Sequence, residues 1–391
     1  MGTGRNKNYM SLNKIKTPWI MFLLVMLGLS SCAPTKTKKQ LKEVHFQQAA
    51  FSDLKHWEYD CQLDAFQAFQ KSCQAIIKRK PNKHISKLTE IGGTVSDWMS
   101  VCNEALNSNL KNNLEARLFF EKWFIPYKVF DAKMSNVGKF TGYYEIELNG
   151  SRKKTKKFKY PIYATPKDIL KLKGKAHFSH SAINKGLLNG KKLEIAYTDN
   201  KARLFFMHIQ GSGVIKLQEG GELKVGYHNE NGHSYKSIGP LFKKHCKDKI
   251  SSAVDMMVWL HKNPSAGKKI MEENPSYVFF RSVKGDSPIG GQGVPLTSER
   301  SIAIDARLYP YGAPIWVETT TPKTTNFPSF DYNRLFIAQD TGGAIKGAIR
   351  ADIFYGRGKV AEELAGYMNN KGAYYIMFPK NIKIPCVYHA H

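Results

Sequence analysis

Two aspartates twelve positions apart, Asp340 and Asp352, stand in the stretch of this chain most suited to chemistry, Leu335–Tyr355, LFIAQDTGGAIKGAIRADIFY. Each sits against a short apolar run, Leu335–Ala338 or Ile353–Tyr355. A carboxyl group in a cleft beside a second one is driven to a raised pKa and keeps its proton near neutrality. That is the property a general acid needs. The competing reading is local, since Asp at strand ends and turns commonly serves only nearby hydrogen bonds. A third aspartate, Asp305, follows the run Ser301–Ile304 and precedes Arg307 and the turn YPYGAP. Three aspartates, each beside a strand-like run, exceed what turn chemistry alone requires.

The elements around these residues must position them. TGGAIKG, between the two aspartates, is too glycine-rich for one regular element. Paired Gly fits a tight turn with positive φ, or a backbone needing close approach. The pattern predicts strand, Gly turn, short strand, loop, strand, with the two carboxylates brought near each other. Upstream, Lys139–Leu148 reads as a strand entering and leaving a Gly turn, and the apolar run Leu204–Ile209 as another strand. Gln210, Gly211 and Ser212 follow it and offer donors and acceptors to a polar ligand; an ordinary turn is the bland alternative. VIKL, EGGE and LKVGY then read as strand, turn, strand.

The N-terminal part reads as a helical shoulder. Leu54–Ile77 has helical spacing, Ser96 or Asp97 caps a helix over Trp98–Asn107, and Leu110–Phe120 carries a stripe of Leu114 and Leu118. Trp57, Trp98 and Trp123 read as packing residues. Late in the chain, Ser252–Leu260, Ala266–Glu273 and Val360–Met368 read as helices. Ser276–Arg281 and Ala373–Phe378 read as strands, and His389–His391 as a frayed tail.

The chain has 391 residues, 42% of them hydrophobic, which is enough for a real core and for two domains. Many short apolar runs with Gly and Pro between them favour β structure. Arg5, Lys7, Lys14 and Lys16 precede the apolar core Trp19–Leu29, which is short for a membrane span and fits a signal segment. Leu29-Ser30-Ser31-Cys32 follows and resembles a bacterial lipoprotein box, so cleavage before Cys32 and acylation of that residue are expected. Acyl chains anchor through about 0.8 kcal/mol per buried CH₂. Ala33 is not the aspartate of an inner-membrane retention signal, so the expected address is the periplasmic face of the outer membrane. Residues 32–50 read as a basic tether.

The formal charge of +27 draws the chain to a polyanion. Export sets nucleic acid aside; anionic wall polymers and lipid head groups fit the same charge. Disulfides are allowed in an exported chain, and Cys73–Cys102 is the preferred pair. No Cys/His spacing suggests a metal, His228 and His233 read as surface residues, and no cofactor is expected.

The chain has no GxSxG elbow, HExxH, Walker loop or dinucleotide fingerprint. What remains is carboxylate acid/base work on a wall-associated target, and a sugar polymer fits, because glycosidic cleavage delivers a proton to the leaving oxygen. Phe140, Tyr143 and Tyr144 are candidates for stacking on sugar faces. On six stretches the chain then resembles the membrane-bound lytic murein transglycosylase A family: FTGYYEIEL, LFFMHIQGSG, LKVGYHNENGHSYKSIG, NPSYVFFR, GVPLTSERSIAIDARLYPYGAPIWVET and LFIAQDTGGAIKGAIRADIFYG. They span Phe140–Gly356 in the family's order. The last two resemble its 3D region, named for three aspartates, here Asp305, Asp340 and Asp352. One departure is Ile146, where the family is expected to have proline.

The resemblance implies a mainly β fold: a double-psi β-barrel with helical N-terminal decoration, residues 51–148 plus 256–388. A smaller inserted β domain, 149–255, would leave a groove between the two. It implies Asp352 as catalytic acid with Asp340 beside it, Asp305 in a lesser role, and Thr141, Tyr144, Gln210, Gly211 and Ser212 on the groove. The implied reaction is nonhydrolytic cleavage of the β-1,4 bond between N-acetylmuramic acid and N-acetylglucosamine in peptidoglycan, leaving 1,6-anhydromuramic ends. Exo and internal action both stay open. The alternatives are a non-catalytic peptidoglycan-binding lipoprotein and a hydrolytic muramidase. Implied partners are glycan strands, membrane lipid through Cys32, and proteins of cell-wall synthesis or remodelling.

Overall fold

The computed structural model describes Met1 and residues 42–390, apart from 87, 172–175, 246–249 and 251. The expected leader beyond Met1, Cys32 and the first part of the tether lie outside the described residues.

The described chain opens with strand β1 (Lys42–Gln48), inside the stretch expected to be tether. Helices α1 (Gln62–Ile76), α2 (Val95–Asn107) and α3 (Asn113–Trp123) follow. α1 starts later than the spacing suggested, because Trp57–Tyr59 forms a 3₁₀ turn with Trp57 buried. Phe66, Phe69, Cys73 and Ile76 line its buried face. Thr94, not Ser96 or Asp97, is the N-cap of α2; its N–H donates to Asp97 Oδ2 at 2.7 Å in a capping box. The stripe expected on α3 is wrong: Leu114 and Leu118 are exposed, while Ala116, Phe119 and Phe120 are buried. Phe119 and Phe120 meet Phe66 and Phe69 of α1, with ring centroids 4.9–6.5 Å apart. Cys73 and Cys102 form a disulfide between α1 and α2.

Sheet takes over with β2 (Phe124–Asp131) and β3 (Gly138–Ser151). A mixed segment follows: β4 (Tyr160–Tyr163), α4 (Lys167–Lys171), α5 (His180–Asn184), β5 (Glu194–Thr198), α6 (Lys201–Gln210), β6 (Ser212–Leu217) and β7 (Glu222–Glu230). It continues with α7 (Gly239–His245), α8 (Ala253–Lys262), α9 (Pro264–Glu272) and β8 (Val278–Ser282). The last part holds β9 (Ser301–Ile304), β10 (Pro314–Thr320), β11 (Asp331–Asp340), β12 (Arg350–Arg357), α10 (Lys359–Tyr367), β13 (Asn369–Pro379) and β14 (Val387–Ala390).

Six strands close a ring. β3 pairs in parallel with β12, β12 antiparallel with β9, and β9 in parallel with β11. β11 pairs with β10, β10 with β13, and β13 returns to β3 through Asn369–Gly372 against Gly138–Thr141. Closure leaves no sheet edge around the ring. β2 adds to β13 and carries β1, which carries β14. Of the tail expected to fray, His389 and Ala390 belong to β14, with His389 opposite Glu43. Ile302, Ile304, Leu335, Ile337, Ile353 and Ile376 are fully buried.

β3 serves two bodies. Gly142 lets it run straight where a Gly turn was expected: a Cβ there would stand 2.7–2.8 Å from Tyr355 and Ala365. Its second half, Ile146–Gly150, leaves the ring and pairs in parallel with β6; β7 and β8 follow outward. This second body is mixed α/β, with α4, α5 and α6 between its strands, where an inserted β domain was expected. Leu204–Ile209 is helix, not strand. Asn200 caps α6, and Gly211 ends it in the left-handed region at φ 83°. The whole is a mixed α/β fold, mostly sheet. Among the described residues no helix is long and apolar enough to cross a membrane.

Candidate active site

A cleft of about 920 Å³ opens between the ring and the mixed body, and both Asp340 and Asp352 line it. β12 presents Asp352 as its third residue, opposite Thr141 of β3 and Ala303 of β9. Thr141 Oγ1 donates to Asp352 Oδ1. Arg350, two residues earlier on the same face of β12, donates through Nη2 to Thr141 Oγ1 at 2.8 Å.

Asp340 ends β11 just past a register shift against β9. Three donors hold it: the Tyr143 phenol at 2.7 Å, and the backbone N–H groups of Gly291 and Thr341 at 2.8 Å each. The helical shoulder fixes the strand end behind it. Gln339 is fully buried, donates through Nε2 to Ala68 O and Ser72 Oγ of α1 at 2.8 Å, and accepts from Ser301 Oγ. A buried ion pair does the same lower down. Arg300 Nη1 donates to both oxygens of Asp60 at 2.8–2.9 Å, and Asp60 Oδ2 also accepts from Leu335 N.

Burial pushes both carboxyls above the ordinary Asp range. For Asp352 the Arg350 guanidinium and then the Thr141 hydroxyl oppose the rise without cancelling it. For Asp340 the Tyr143, Thr341 and Gly291 donors oppose burial, and the charge of Asp352 adds to it. Hydrogen bonds to a carboxylate favour its charged form, and Asp340 has more of them than Asp352. Asp340 is thus held by three donors, while Asp352 has the Thr141 hydroxyl and the Arg350 and Lys139 charges beside it.

Among the other residues singled out in the sequence, Thr141, Gln210, Gly211 and Ser212 line the cleft. Gln210 Oε1 accepts from Tyr144 N at 3.0 Å, which ties the end of α6 to β3. Tyr144 does not line the cleft. Neighbouring strand residues face opposite sides, and its ring lies in the core at 3% exposure, while Tyr143 faces Asp340 and packs on Phe354. Asp305 is also buried, with Arg307 Nη2 at 2.6 Å and Gly347 N at 3.0 Å from its Oδ2. It braces the loop that joins the two cleft aspartates. That loop holds no strand, and its positive φ falls on Gly347, not on Gly342 or Gly343.

Tyr143, Arg350 and Gly291 are functional neighbours that spacing did not single out as such. Arg350 carries a signal, standing two residues before Asp352 on one strand face. Gly291 carries none, because its contribution is a backbone N–H from a distant loop. The rings of His228 and His233 contact Thr165 Oγ1 at 2.9 Å and His177 O at 2.7 Å. Among the described residues no group of His, Cys, Asp and Glu has a metal-holding arrangement.

Comparison with known proteins accords with this geometry. Residues 139–281 match the MltA specific insert domain, and residues 300–378 match the 3D domain. The chain is 28% identical over 383 residues to membrane-bound lytic murein transglycosylase A of Escherichia coli (strain K12), covering 93% of this chain and 97% of that protein. The crystal structure of MltA from Neisseria gonorrhoeae superposes with a TM-score of 0.72 at 30% identity, covering 87% of this chain and 94% of that one. Escherichia coli MltA with bound chitohexaose superposes with a TM-score of 0.60 at 28% identity, covering 73% and 83%. Two domain matches in order, and a solved relative at 30% identity over nearly its whole length, place this chain in the membrane-bound lytic murein transglycosylase A family.

Proposed function

We propose that the chain is a lytic transglycosylase of peptidoglycan, cleaving the β-1,4 bond between N-acetylmuramic acid and N-acetylglucosamine and leaving 1,6-anhydromuramic ends. One observation carries this reading: Asp352 sits half-buried on a cleft of about 920 Å³, with its pKa raised and one hydroxyl donor on its carboxyl. The relative seen with bound chitohexaose shows that a neighbouring member of the family takes a glycan chain.

In the first step Asp352 gives its proton to the glycosidic oxygen as the bond from C1 to that oxygen breaks. The C6 hydroxyl of the same muramic residue then closes on C1, and Asp352, now a carboxylate, takes the hydroxyl proton. The nucleophile belongs to the sugar, so one carboxyl serves as acid and then base, unlike the paired carboxylates of ordinary glycosidases. Asp340 stays charged on its three donors and favours the developing positive charge at C1. Thr141 and Arg350 hold Asp352 in place. Gln210 and Ser212, at the end of α6 and the start of β6, present polar groups to the sugar from the opposite wall.

The same reading makes the six-strand ring a double-psi β-barrel and places the enzyme on the periplasmic face of the outer membrane, anchored through acylated Cys32. The test is Asp352→Asn. Turnover of purified glycan strands should fall about a thousandfold, with strand binding close to that of the parent. Turnover that survives the change removes Asp352 from the acid role. A binding lipoprotein without catalysis would release no fragments from sacculi even with Asp352 in place.

A further inference from the structure

Beside the cleft lies a second pocket of about 650 Å³ that shares Thr141 and Arg350 with it. Three cations line this pocket, Lys139, Lys346 and Arg350. Its one acidic lining residue, Asp131, is committed elsewhere: Oδ1 accepts from the N–H groups of Lys133 and Ser135 at 2.8 and 3.0 Å. Lys139 and Lys346 are exposed, and neither forms an ion pair among the described residues. Arg350 is half-buried and fixed by Thr141 and by backbone carbonyls, so it offers a charge already held in position. Lys139 adds to the field on Asp352, but nothing in the proton transfers there requires Lys346. Three cations around a concave space lined by a single carboxylate leave an excess of positive charge, a receptor for an anionic ligand.

We propose that this pocket holds a carboxylate of the peptide stem borne by the muramic acid whose glycosidic bond is cleaved, with Lys346 as its principal ligand. The inference rests on the transglycosylase reading above. It adds that the enzyme reads the peptide as well as the sugar. Muramic acid carries its peptide through the lactyl ether on O3, on the ring that contains C1 and C6. When C1 stands at Asp352, the stem leaves that same ring toward the neighbouring wall. Thr141 lies between the two spaces, bonded to Asp352 on one side and to Arg350 on the other. Stem peptides end in, and branch at, free carboxylates, the chemistry that Lys and Arg recognise.

The experiment compares kcat/KM of the full chain on three preparations of glycan strand: with free stem carboxylates, with the same carboxylates amidated, and stripped of peptide. The enzyme should favour free carboxylates about tenfold, the scale of one hydrogen bond to a charged group. Lys139 contributes to the field on Asp352, so Lys346→Gln is the cleaner variant. It should lose most of that preference through KM, and Lys346→Arg should keep it. An enzyme that makes anhydro ends from all three strands at equal efficiency would overturn the pocket and leave the transglycosylase reading intact. Full preference retained in Lys346→Gln would do the same. No anhydro ends from any strand would remove the enzyme reading, and the stem site with it.

Discussion

Replacing Tyr143 with Phe removes one oxygen and tests how the two cleft carboxyls divide their proton. The phenol donates to Asp340 Oδ2 at 2.7 Å. Its ring packs on Phe354 with centroids 5.2 Å apart, a contact the variant keeps. A hydrogen bond to a charged acceptor is worth roughly 1.5–3 kcal/mol, and one pKa unit corresponds to about 1.4 kcal/mol. Asp340 is half-buried, so water replaces part of the lost donor and the lower end applies, about one unit. The sign follows from which form the phenol favours. It donates to the carboxylate, so its loss disfavours the charged form and raises the Asp340 pKa further. Asp340 works charged and Asp352 works protonated, so the acid limb of the kcat/KM profile reports Asp340 and the alkaline limb Asp352. In Tyr143→Phe the acid limb should move up by about one unit, with the alkaline limb in place. The assay is release of soluble fragments from peptide-free glycan strands across pH. An unmoved acid limb, or a shift of the alkaline limb in its stead, would show that the roles of the two aspartates are reversed.

Two further predictions concern the shoulder. Asp60→Ala leaves the buried Arg300 guanidinium with only the exposed Asp64 carboxylate, 3.8 Å away, and Leu335 N without its acceptor. It should destabilise the fold by about 3–5 kcal/mol in denaturant unfolding, as broken buried pairs do; a loss under 1 kcal/mol would mean that water reaches Arg300. Joint replacement of Cys73 and Cys102 by Ser opens a link across 29 positions. Loop entropy puts its contribution at about 3.5 kcal/mol, so Tm should fall while the activity of the folded enzyme at low temperature stays; unchanged Tm would show that α1 and α2 hold together without it.

The chemistry was legible because it is written locally. Asp340 and Asp352 each border an apolar run, and those runs became the buried strands β11 and β12. What failed was whatever needs a partner to decide it. LFFMHI is buried nearly all round, and such a run reads the same as strand or helix. Asn200 before it and Gly211 after it are the signals of a helix. The α3 stripe failed for a related reason. Which face of α3 is buried depends on where α1 sits, and α1 took Phe119 and Phe120 in place of Leu114 and Leu118. Alternation along β3 shows that Tyr143 and Tyr144 face opposite sides, but only the register against β12 says which meets the cleft. The contacts of Gly291 to Asp340 and of α1 to Gln339 join segments far apart in sequence, beyond reach of any local pattern.

The central claim is that the C6 hydroxyl of the sugar, and not water, closes on C1 after Asp352 has given up its proton. Digestion of glycan strands in water enriched in heavy oxygen tests it most directly, read by mass spectrometry of the new muramic ends. The account predicts ends lighter by one water than hydrolysed ends and free of heavy oxygen. Muramic ends that carry heavy oxygen at C1 as the main product would contradict it.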